Sequence, residues 1–149
     1  LLPEVYDIMD VVRQYNAALA TGHLSSEESI LLCREGRRRG VRMVLTHPEF
    51  SRTKLPVEVQ KELAALGVWI EKCWYNVAEG EISASEMAAN IRAVGAQSCF
   101  MTTDRGQGNR ETPVEAMGQF ATTMLENGIT KQELHFLLVD VPEQVLDPS

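Results

Sequence analysis

The run Val41-Arg42-Met43-Val44-Leu45-Thr46-His47 reads as a β-strand with a histidine at its carboxyl end, and the chain around it repeats that arrangement. Ala17-Ala18-Leu19-Ala20-Thr21-Gly22-His23 precedes it as another strand ending on histidine. Val68-Trp69-Ile70-Glu71 follows and ends on a carboxylate, as does Ser98-Cys99-Phe100-Met101-Thr102-Thr103-Asp104. The four terminal residues stand 24, 24 and 33 positions apart. Parallel βα barrels carry their chemistry at the carboxyl ends of the strands, so the series predicts one shared site.

Helix signals fill the intervals. An amphipathic opening helix, about Pro3 to Tyr15, spaces Val5, Ile8, Met9 and Val12 along one face. Ser25-Ser26-Glu27-Glu28 is a capping box whose helix runs to about Arg39 and stops at Gly40. Pro56 opens the next helix, which closes at Gly67. Ser83-Ala84-Ser85-Glu86 starts a helix ending at Gly95, and Thr112-Pro113-Val114-Glu115 one ending at Gly128. Thr130-Lys131-Gln132-Glu133 caps a last helix reaching about Val139. Strands alternating with helices predict an α/β fold of parallel βα units. Strand alternation places Leu19, Thr21, Met43, Leu45, Trp69, Phe100 and Thr102 on the face of the four terminal residues. Ala18, Ala20, Val44, Val68, Ile70, Cys99 and Met101 then pack under the helices.

The 149 residues make a single domain, with no internal linker. Its 44% hydrophobic and 23% charged content is that of an ordinary globular protein. A (β/α)8 barrel needs about 250 residues and eight strands; four strands amount to half of such a TIM barrel. The sheet edges are then expected to be completed by a missing barrel half or a second copy of the chain, which makes an oligomer, unless the sheet closes as a small open α/β fold. The start Leu1-Leu2-Pro3-Glu4 lacks an initiator Met and a signal-peptide pattern, so the chain is expected to begin inside a longer gene product.

A net charge of −7 opposes nucleic-acid binding. No apolar run is long enough to span a bilayer. The basic cluster Arg37-Arg38-Arg39 ends a helix, where cations complement its dipole. Cys33, Cys73 and Cys99 form no C-x-x-C pair, which suits a reducing cytoplasm.

Imidazole and carboxylate together suit Zn2+ or another first-row divalent metal. His23 and His47 on neighbouring strands are candidate ligands, with Asp104 as a ligand and as the catalytic acid–base group. Glu71 is a further ligand or a hydrogen-bond partner for a histidine. Arg105 and Gln107, in the glycine-containing loop after Asp104, are candidates to hold a small-molecule substrate through an anionic group. Trp74 and Tyr75, just beyond Glu71, are candidates to wall the pocket, Trp74 against substrate. His135, on the last helix, reads as structural.

Thr21-Gly22-His23-Leu24-Ser25, Thr46-His47-Pro48, Ile70-Glu71-Lys72 and Thr103-Asp104-Arg105-Gly106-Gln107 together resemble the C-terminal half of the metal-dependent hydrolases of the amidohydrolase superfamily. The resemblance runs over nearly the whole chain, and is closest to an uncharacterised hydrolase-like branch. It implies βα units five to eight of the barrel. His23 corresponds to the fifth-strand metal ligand, His47 to the sixth-strand one and Asp104 to the eighth-strand ligand and base. Glu71 falls on the seventh strand, where the superfamily has no fixed role. The implied reaction is attack of metal-activated water on an amide, lactone, cyclic amide or ester. The chain contains no His-x-His, the pair such proteins carry on their first strand. A non-catalytic half-barrel binding module and a phosphoesterase using Arg105 are the alternatives.

Overall fold

Four strands, β1 (Ala18–Ala20), β2 (Arg42–Leu45), β3 (Trp69–Cys73) and β4 (Cys99–Thr102), lie side by side in chain order in the computed structural model, which describes residues 1–146. Every neighbouring pair is parallel. The helices are α1 (Pro3–Gln14), α2 (Ser26–Arg38), α3 (Val57–Ala65), α4 (Trp74–Ala78), α5 (Ala84–Val94), α6 (Pro113–Glu126), α7 (Lys131–His135) and α8 (Val141–Leu146). The alternating βα pattern expected from the sequence is therefore present.

Local chemistry sets the helix starts. Ser25 accepts from the Glu28 amide while the Glu28 carboxylate accepts from the Ser25 amide, and Thr112–Glu115 and Thr130–Glu133 repeat the reciprocal pair. Ser83 caps α5 through the Glu86 amide. Two elements differ from expectation. β3 runs straight into α4, a helix that no capping signal announced. The last helix continues beyond Val139, passing through a π-helical turn, Phe136–Asp140, into α8. The arginines that end α2 are each engaged locally. Arg37 donates to the Leu66 and Val41 carbonyls, Arg38 pairs with Glu35, and Arg39 pairs with Asp10.

Strand register decides which side chains share a face, and it corrects part of the expected alternation. Val44, not Leu45, lies beside Trp69, and Glu71 lies beside Phe100. Ala18, Ala20, Arg42 and Val44 therefore share the face of Trp69, Glu71, Cys73, Phe100 and Thr102. Leu19, Met43 and Leu45 lie on the other face with Ile70, Lys72, Cys99 and Met101. Helices cover that second face. A Cβ on Gly36 of α2 would sit 2.3 Å from the Met43 sulfur, and Gln60 of α3 bonds Lys72. The expectation fails on β1 and β2 because it counted alternation back from the histidines. The strands stop at Ala20 and Leu45, and the chain turns before His23 and His47, so parity is not carried through.

The Trp69–Glu71 face is more open. Arg42 spreads over the Trp69 ring, 5.1 Å from its centroid, and donates to the Gln144 and Val145 carbonyls of α8. At the β1 edge, a groove of about 540 Å³ is lined by exposed Leu1, Leu2, Ile8, Leu24 and Leu31. Cys33, Cys73 and Cys99 are buried free thiols, and burial pushes Cys33 and Cys99 up to about 12. Among the described residues no helix is long and apolar enough to cross a membrane.

Candidate functional site

Two threonines tie the ends of β1 and β2 together. The Thr46 amide donates to Thr21 Oγ1 at 3.0 Å, and the Gly22 amide donates to Thr46 Oγ1 at 3.3 Å. Gly22 then takes a left-handed φ of +59°, and the chain swings His23 over His47. Their rings lie 5.5 Å apart and nearly parallel. The histidines thus meet beyond the strands rather than on them.

Glu71 joins three elements. One oxygen accepts the Thr102 hydroxyl of β4 at 2.8 Å; the other accepts the His47 amide at 3.1 Å and lies 3.3 Å from His47 Nδ1. That last approach is not aligned as a hydrogen bond, so Nδ1 is buried without one. Thr53 Oγ1 donates to the His47 carbonyl at 2.6 Å. His47 is fixed at φ +46° by these contacts, and Asp104 stands at φ +49°. Such left-handed backbone costs a non-glycine residue about 1–3 kcal/mol and persists only where its surroundings enforce it. Among the described residues only Asn16 joins them.

His47, Cys73 and Asp104 each offer a ligand atom, all within 4.8 Å of one another. They come from the ends of β2, β3 and β4. The donor set mixes nitrogen, sulfur and oxygen, which suits zinc better than magnesium or calcium. His47 Nδ1 faces the Glu71 carboxylate, a contact that orients the ring. Burial, with the nearby Glu71 and Asp104 charges, raises the Cys73 thiol to about 11, against a smaller opposing effect of Thr102. A cation beside it would reverse that preference.

Of the four residues expected at one place, His47 and Asp104 fall in this cluster. Glu71 lies behind His47, and His23 stacks on it from the solvent side; neither belongs to the 4.8 Å group. Cys73 was missed because β3 was ended at Glu71; one further alternation along the strand brings it to the same face.

The candidates beyond the strands sit differently from expectation. The Arg105 side chain is 2% exposed and engaged by Glu111 at 2.9 Å and Glu79 at 3.1 Å. Burial opposes its charge, yet hydrogen bonds to those carboxylates raise its pKa. Trp74 packs on Phe120 and donates its indole N–H to Glu111 at 2.8 Å, away from the histidines. The same Trp74 and Arg105 bonds hold Glu111 down to about 2. Gln107 is exposed and reaches the Asp104 carbonyl at 3.4 Å. Exposed His135 lies 3.2 Å from Asp140, far along the chain from the cluster.

A cleft of about 380 Å³ opens over the cluster, lined by His23, His47 and Asp104 and also by Phe50, Arg52, Tyr75 and Asn76. Phe50 and Arg52 come from the loop after β2, Tyr75 and Asn76 from α4. Phe50 and Arg52 carried no individual signal in the sequence, where the loop singled out was the one after Asp104.

Residues 1–71 are similar to a family described as a family of unknown function (DUF6282). That stretch holds His23, His47 and Glu71, while Cys73 and Asp104 lie outside it. No curated protein and no solved structure matches the chain.

Proposed function

We propose that the chain is a second half-barrel of a metal-dependent hydrolase acting on an amide, lactone, cyclic amide or ester. The observation that carries this is the convergence of His47, Cys73 and Asp104 at the carboxyl ends of three successive parallel strands. Sequential strand order with helices over one face, and an opposite face left partly open, supports the half-barrel. The unpaired β1 edge and its apolar groove support completion by another chain or copy.

His47, Cys73 and Asp104 would hold the metal, with Glu71 positioning His47. A divalent ion supplies Lewis acidity that lowers the pKa of water to roughly 7. Asp104, exposed at the cleft, is placed to accept a proton from water and return it to the leaving group. His23, stacked at the mouth, shields His47 and presents a second imidazole to substrate. The phosphoesterase alternative relied on Arg105, whose guanidinium is engaged by two carboxylates.

The test is metal binding followed by hydrolysis. Protein dialysed against Zn2+ should retain about one equivalent, which Cys73→Ser and His47→Ala each lose, and should hydrolyse members of an ester and lactone panel in a metal-dependent way. Wild-type metal content in both variants would sink the proposed centre. Stoichiometric metal without any hydrolysis would leave a binding module in place of an enzyme.

A further inference from the structure

The geometry points to Arg52 as the group that selects the ligand of this cleft, and to a small monoanionic carboxylate flanked by an apolar body as that ligand. This deepens the hydrolase proposal, and rests on it only for the claim that the bound molecule is a substrate.

Arg52 lines the cleft, is exposed, and among the described residues has no carboxylate or other partner. Other arginines show how readily this chain pairs its cations: Arg34, Arg38, Arg39 and Arg105 each meet a carboxylate. Arg52 also stands on a loop that is held still. The Phe50 amide donates to the His47 carbonyl and the Thr53 amide to the Phe50 carbonyl, while Leu55 closes the loop onto Pro48. Ser51 is bonded through amide and hydroxyl to Glu81. These bonds fix where the Arg52 backbone stands, while its exposed side chain stays free to swing onto a ligand.

The rest of the cleft states what else the ligand carries. Asn76 is 1% exposed, and its Oδ1 is buried without a hydrogen-bond partner. A group so placed costs stability, but its oxygen is closed off from the cleft, so the ligand's polar contact falls to Arg52. Phe50 and Tyr75 pack edge to face with centroids 6.0 Å apart, and His23 lies 6.2 Å from Phe50. These rings make a wall for an apolar or planar body. The anion follows from charge. Arg52 is the one lysine or arginine lining the cleft, and Asp104 lines it too. A planar guanidinium matches a carboxylate in a two-pronged bond, and a monoanion meets less repulsion from Asp104 than a dianion does. A phosphate dianion would face Asp104 with only that one cation to offset it.

Binding can be read without turnover. Benzoate, benzamide and phenyl phosphate are titrated into metal-stripped and Zn2+-loaded protein, with amide and imidazole NMR shifts as the signal. Benzoate should bind metal-stripped wild type about tenfold or more tighter than benzamide. Arg52→Gln should remove that advantage, with resonances away from the cleft unshifted, and Arg52→Lys should keep only part of it. Equal binding of benzoate and benzamide to wild type, no benzoate binding, or undiminished benzoate binding in Arg52→Gln each overturns the assignment. Preference for phenyl phosphate overturns the choice of carboxylate. Benzoate binding that depends on Arg52 in a protein unable to hold Zn2+ upholds this site and defeats the metal proposal; the reverse pattern does the opposite.

Discussion

Strand β3 separates two polar clusters of opposite character. On its helix-covered face, Lys72 is 0% exposed, with Nζ donating to Glu49 Oε1 at 2.5 Å and Gln60 Oε1 at 2.6 Å. Gln60 in turn donates to the Leu55 carbonyl, and Asn90 reaches Glu49 at 3.5 Å. On the other face, one residue to either side, Glu71 and Cys73 meet His47 and Asp104 beneath an open cleft. The first cluster is sealed, apart from one buried Glu49 oxygen without a partner. The second combines left-handed backbone at His47 and Asp104 with an unsatisfied imidazole nitrogen and an unsatisfied Asn76 oxygen. The lysine cluster is paired within the interior, whereas the cleft cluster joins strained backbone to an open surface, which is what the proposed ligand site requires.

The largest test of that contrast is Lys72→Met. Removing one partner of a sealed ion pair leaves Glu49 buried and uncompensated, which costs about 3–5 kcal/mol. Urea unfolding should show the loss as a lower midpoint, and adding Glu49→Gln should recover part of it. A loss below about 1 kcal/mol would mean that water reaches Lys72, and the two faces would no longer differ in kind.

The sequence disclosed the two clusters unequally. Capping boxes and glycine stops gave the helix starts and ends because they are local: Ser25 and Glu28, or Thr112 and Glu115, satisfy each other within one turn. His47 and Asp104 were legible as site residues because loop entry after a parallel strand follows a rule of topology. Lys72 was not, since the strand was ended at Glu71, so alternation was not carried to it, and its partner Glu49 lies 23 residues away. Arg105 beside Asp104 suggested an anion site, but its partners Glu79 and Glu111 are set by how the loops fold back. Arg52 had no local mark at all. Pairing over distance, not residue type, decided which arginine was free.

Gly36→Ala sharpens the assignment of the covered face. The added Cβ would meet the Met43 sulfur at 2.3 Å and its Cγ at 2.9 Å, inside any normal contact. Overpacking of this kind costs about 1–3 kcal/mol. Because the clash is with one flexible side chain, Gly36→Ala should cost much less in a Met43→Ala background than in wild type. Were Met43 on the cleft face, as alternation counted back from His47 requires, the two changes would add to within about 0.5 kcal/mol. The double-mutant cycle therefore reads strand parity directly.

The smallest effect on stability is expected at the cleft itself. His47→Asn keeps a residue type that tolerates left-handed backbone. The position 47 amide still donates to Glu71 and its carbonyl still accepts from Thr53. What disappears is a ring nitrogen that had no hydrogen bond. The unfolding free energy should change by less than about 1 kcal/mol, with either sign allowed, since residues arranged for a ligand are often not those that favour stability. Zn2+ retention should be lost in the same variant. A loss matching that of Lys72→Met would break the comparison, because the imidazole would then be holding the ends of β1 and β2 together and not waiting on a ligand.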